Sequence, residues 1–136
     1  MTGVPDALEV VREWIDALNA GDVERMIGLA HEDIVFDTRR GLARGQEQVR
    51  AFMARQGYGV AFRVVPSRYF VQGDTVVVDA LNELRYVDSG ELADSFEGPA
   101  TFRVDDGHVT HFASHADLDT ALRAAGMTRD SESSPD

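Results

Sequence analysis

Asp37 is the residue whose position most invites chemistry. It closes the short β-rich run IVFD, residues 34–37, after which the chain enters the loop TRRGLARG. A carboxylate at the mouth of an apolar pocket loses solvation, and its pKa rises toward that of a useful base. There it could take a proton from a carbon beside a carbonyl, or from water. The alternative is an aspartate that caps the following loop. Asp79, Glu83 and Arg85 alternate to one face of a strand, beside Leu81. Such a row either lines a cavity or forms a solvated, cross-strand-paired surface. His111 and His115 are spaced as metal ligands are on a helix. On a strand they stand roughly 13 Å apart, too far for one ion. With His31 and His108 they read as surface or dimer-contact histidines. Arg39, Arg40 and Arg44 either meet an anionic substrate at a rim or pair with surface acids. The motifs GxSxG, P-loop and GxGxxG are absent, so hydrolase triads and nucleotide folds have no support.

These residues need elements to position them. Leu8, Val11, Ile15 and Leu18 recur at helical spacing and predict a helix from about Asp6 to Asn19, with Trp14 beside the stripe. Gly21 stops it, and Asp22 caps a second short helix carrying Met26, Ile27 and Leu29. Residues 46–56 predict a third helix with Val49, Phe52 and Met53 inward. Four strands follow, over residues 61–71, 75–87, 93–104 and 109–115. Pro66 marks a bulge in the first, and Asp105-Asp106-Gly107 a hairpin turn. Residues 119–125 predict a final short helix. Helices gathered before strands argue α+β. Phe36, Phe52, Met53, Phe62, Tyr86, Phe102 and Phe112 read as core or pocket lining. In this register Val76, Val78 and Ala80 occupy the outer face of the sheet, which predicts a homodimer. A slip of one residue would swap the two faces.

Length and charge bound the rest. The chain has 136 residues, no cysteine and a net charge of −11. One domain over residues 1–128 follows, with 129–136 (RDSESSPD) as a disordered tail. The missing cysteine excludes disulfides and thiolate chemistry. An acidic surface repels phosphate backbones, which speaks against nucleic acid as partner. The longest apolar run is too short to span a membrane, and no signal peptide opens the chain, so a cytoplasmic location is the default.

The stretch VREWIDALNAGDVERMIGLAHEDIVFD resembles the opening of SnoaL-like and ketosteroid-isomerase-like proteins of the nuclear-transport-factor-2-like superfamily. RGQEQVRAFM and FRVDDGHVTHF continue the resemblance over roughly residues 6–127. It implies a cone-shaped, cystatin-like α+β fold, with a curved antiparallel sheet wrapped around N-terminal helices and an apolar pocket. In the isomerases the base is the aspartate ending this first strand, which Asp37 matches. Their oxyanion donors are a tyrosine and a protonated aspartic acid, where this chain has Trp14 and Ala100. In proteins similar to limonene epoxide hydrolases an Asp–Arg–Asp triad works; Asp79 matches the first aspartate, but Val77 and Ser114 stand at the other two positions. Polyketide cyclases suggest a histidine proton donor. The expected catalytic set is Asp37, Asp79 and Ser114. The expected substrate contacts are Trp14, Phe36, Phe52, Phe62, Ala100, Phe102 and Phe112. The implied ligand is a small, largely apolar organic molecule, acted on without metal or cofactor. The alternative is a non-catalytic ligand-binding or dimerising domain of the same fold.

Overall fold

A computed structural model describes residues 6–38, 41–54 and 60–132. Helix α1 spans Ala7–Ala20 and helix α2 Val23–Leu29. Both start where a carboxylate accepts a free backbone N–H. Asp6 takes that of Glu9 at 2.8 Å, and Asp22 that of Arg25 at 3.1 Å. Gly21 sits at φ 71°, a left-handed conformation that glycine adopts without strain, and it turns the chain between the helices. Val10, Val11, Trp14, Ile15, Ala17 and Leu18 form the buried stripe of α1.

Strand β1 follows α2 directly and runs Ala30–Thr38. It is longer than the run IVFD suggests. The loop TRRGLARG also contains a strand, β2 (Gly41–Arg44), paired antiparallel to β1. Helix α3 is Glu47–Ala54. Gln46, just before it, donates to the carbonyls of Ile27 (3.3 Å) and Ala30 (3.0 Å), tying α3 to the end of α2. Strand β3 runs Val60–Gln72 and β4 Thr75–Tyr86. The expected strand over 93–104 is two strands, β5 (Leu92–Glu97) and β6 (Ala100–Asp105). Gly98 and Pro99 part them, since proline has no N–H to continue a ladder. Strand β7 is His108–Ser114 and helix α4 Leu118–Ala124. The turn between β6 and β7 places Asp106 at φ 52° and Gly107 at φ 78°, as an Asp-Gly hairpin requires.

The sheet order is β2-β1-β7-β6-β4-β3, with β5 pairing the far half of β4. The sheet is mixed: β1 lies parallel to β7, while the other pairs are antiparallel. The expectation of a wholly antiparallel sheet is corrected there. A parallel neighbour needs a long crossover, and all of α3, β3, β4, β5 and β6 lie between β1 and β7.

Alternation assigns the faces. Val76, Val78 and Ala80 are buried in the main core with α1, so they occupy the inner face. The register that set them outside is corrected by one residue, and the apolar dimer surface inferred from them is an interior. Val77 and Phe70 point the other way, into a second core with Leu118, Ala121, Leu122 and Met127. The bulge expected at Pro66 occurs, as a register shift between Pro66 and Arg68. It reverses the phase of β3: Phe62 and Val64 face inward before it, Tyr69 and Val71 after it. The chain stays on the sheet beyond residue 128. Arg129–Ser131 form a 3₁₀ turn, and Glu132 bridges Phe70. Among the described residues no helix is long and apolar enough to cross a membrane.

Candidate ligand cavity

Between the inner face of the sheet and helices α1 to α3 lies a cavity of about 1000 Å³. Its walls are mainly apolar, because the elements meet there through aromatic and branched side chains. Trp14 on α1 packs edge-on to Phe102 on β6, with ring centroids 6.3 Å apart. Phe102 contacts Phe112 on β7 at 5.1 Å, and Phe112 contacts Phe36 on β1 at 5.9 Å. Phe52 on α3 and Phe62 on β3 form a second pair at 5.6 Å. Tilted and edge-to-face pairs of this kind hold wall shape more firmly than area burial alone. Every aromatic expected as a ligand contact lines this space, as does Ala100.

Several polar lining residues come from the ends of the strands. β1 runs parallel to β7, and β4 is related to β7 through two antiparallel steps, so all three strands end on the same side. Thr38, Ser114 and Asn82 come from those C-terminal halves, and Glu97 and His115 lie nearby on the lining. Gln48 adds an amide from α3.

The expected catalytic residues divide. Ser114 lines the cavity. Asp37 is exposed and lies between two lining residues, Phe36 and Thr38, on the opposite face of β1. Period-two alternation therefore aims its carboxylate away from the cavity. Asp79 also faces outward, where it accepts two bonds from Arg68, at 3.2 Å from Nε and 2.7 Å from Nη2. Both bonds end on Oδ2, and this hydrogen-bonded carboxylate holds the Arg68 guanidinium above its ordinary pKa. Glu83 and Arg85 pair on the same face at 3.0 Å. In the charged row of β4, Asp79 is thus paired across to β3, while Glu83 and Arg85 pair with each other along β4. Arg44 is exposed on β2, and Arg39 and Arg40 lie outside the described residues.

His115 is the acid–base group that the sequence placed elsewhere. It follows the end of β7, lines the cavity, and shares a 3.0 Å hydrogen bond between Nε2 and Thr101 Oγ1. Burial pushes its pKa below the ordinary histidine value, while the Asp37 and Asp117 carboxylates pull it back up. His111 is separate: it bonds Thr110 Oγ1 at 3.0 Å, and its pKa is lowered by burial and by Arg103 and Arg44. Asn82 was also missed. Its signal was present in β4, where Val78, Ala80, Asn82 and Leu84 form a row with one amide.

Comparison with known proteins agrees with this architecture. A putatively named polyketide cyclase from Xanthomonas campestris pv. campestris superposes with a TM-score of 0.68 at 21% identity, covering 84% of this chain and 92% of that one. An LEH-like epoxide hydrolase of M. tuberculosis gives 0.70 at 23% identity, covering 86% of each chain. TerC, co-crystallised with polyporic acid, gives 0.69 at 20%, covering 87% of this chain and 95% of that one. At such identities the likeness speaks for the fold, which other neighbours share as NTF2-like and cystatin-fold proteins. No curated protein matches by sequence. The family model of the SnoaL-like domain matches residues 11–112, and with three-quarters of its length so matched the chain belongs to the SnoaL-like domain family.

Proposed function

We propose that this protein binds a small, largely apolar organic molecule in the cavity between its helices and sheet. The observation that carries the reading is the cavity itself, about 1000 Å³ with aromatic walls and a few polar side chains among them. Ligand sites commonly combine a mostly apolar lining with a few placed polar groups. Two structural relatives carry names that support such a ligand, a polyketide cyclase and an LEH-like epoxide hydrolase. The test is titration of ¹⁵N-labelled protein with fluorene, a rigid three-ring hydrocarbon. Saturable amide shifts confined to the cavity lining are expected. Shifts scattered over the surface, or none, would contradict the reading.

Proton transfer is the reaction class that the lining favours. His115 carries this second reading. In its neutral form the imidazole takes a proton from a carbon beside a carbonyl, and Asp37 and Asp117 stabilise the imidazolium that results. Asp37 then acts through His115, as the carboxylate behind the base. An Asp–Arg–Asp mechanism fits less well. Asp79 faces away from the cavity, Val77 lies in the outer core, and Ser114 is not a carboxylate. A homodimer belongs to the same proposal. The outer face of the sheet carries Val65 and Leu81, each 38% exposed, and these offer a modest apolar contact.

A further inference from the structure

We infer that Asn82 is the specificity-determining residue of the cavity and recognises an oxygen on the ligand, with Gly98 present to let its carboxamide point there. This inference rests on the binding function proposed above. Asn82 lies on the inner face of β4, between Ala80 and Leu84 along the strand. Its cross-strand partners are Val64 on β3 and Phe96 on β5. All four neighbours line the cavity with it. Among the described residues its side chain has no hydrogen-bond partner, yet none of its polar atoms is sealed off from the cavity. The carboxamide therefore keeps its donor and acceptor free within an apolar wall, and a ligand that displaces water there would meet them with a carbonyl or hydroxyl.

Gly98 supplies the independent observation. Its backbone is not in the left-handed region, so conformational freedom does not account for a glycine. A Cβ at this position would overlap Asn82 Nδ2 and stand 2.6 Å from Asn82 Cγ. Meanwhile its N–H donates to the carbonyl of Ala80 at 2.8 Å, which fixes the backbone beside Asn82. An alanine at 98 would therefore leave the backbone intact and turn the carboxamide out of its present position.

The ligand class follows: an apolar ring system bearing a carbonyl or hydroxyl oxygen near the end where β1, β4 and β7 finish. The matched probes are 9-fluorenone and fluorene, which share one ring skeleton and differ by a carbonyl in place of a methylene. The wild type should bind fluorenone roughly fivefold to tenfold more tightly than fluorene, the factor expected of one hydrogen bond. Asn82→Leu should abolish that preference and leave fluorene affinity unchanged or higher. Gly98→Ala, with folding checked by circular dichroism, should reduce the preference although Asn82 is still there. A preference that survives in N82L, or a wild type that binds both probes equally, would overturn the role of Asn82 and leave the cavity reading standing. Failure of both probes to bind would overturn the cavity reading and this inference together.

Discussion

Asp37 on β1 lies near His115, the residue that follows β7 on the neighbouring parallel strand, and its charge acts on the histidine. The Asp37 carboxylate raises a His115 pKa that burial lowers. Asp37→Asn should therefore move the His115 pKa further down, read from its ring protons by NMR; an unchanged titration would dissolve the pair. The sign for stability follows from the direction of the shift. His115 has a folded-state pKa below the ordinary 6.5, so the unfolded chain takes up the proton first. The stabilising contribution of its neutral form is present above about 6.5 and is lost as pH falls through the folded-state pKa. His111 is shifted the same way and adds to the same window. His115→Gln should flatten part of the loss in stability between neutral pH and about pH 5, measured by urea denaturation at each pH. At this scale the sequence was legible in type and ambiguous in direction. Asp37 was visible because it closes the run IVFD, yet a one-residue alternation turns it from the cavity. Asn82 was a lone amide in an apolar row, and only long-range pairing shows that the row faces inward.

Among the elements, one side chain secures the cavity's geometry. Asn19, at the end of α1, accepts from the N–H of Val64 at 2.8 Å and donates to its carbonyl at 2.9 Å. Val64 lies on β3, the last strand of the sheet, and its backbone groups there are otherwise an open edge. The amide thus mimics one rung of a missing strand and fixes α1 against the cavity wall. Asn19→Ala should cost about 2 kcal/mol and speed amide exchange around Val64. A loss within a few tenths of a kcal/mol would show that packing alone holds α1. Helices and turns were readable because their signals are local: Asp22 as a cap, Gly21 and Gly107 at positive φ. Strand β2 and the parallel pairing of β1 with β7 were not, since each depends on partners that no local pattern announces.

The whole molecule carries two cores on one sheet, and they do different work. The outer one, where α4 covers Phe70 and Val77, is filled; the inner one is packed near its base and hollow toward the strand ends. Phe70 is fully buried, and Phe70→Ala should cost about 3–5 kcal/mol in thermal or urea unfolding. Ala100→Phe should cost far less, because its side chain can extend into the cavity that it lines. In sedimentation at micromolar concentration a dimer is expected, and a monomer would refute the contact assigned to Val65 and Leu81. Trp14, the one tryptophan of the chain, reports on the central claim because it forms part of the cavity wall. Its emission should be quenched saturably by 9-fluorenone at one ligand per chain, and Ala100→Phe should weaken that binding by tenfold or more. Quenching that rises linearly without saturation, or is the same in A100F, would contradict a ligand-binding cavity in this protein.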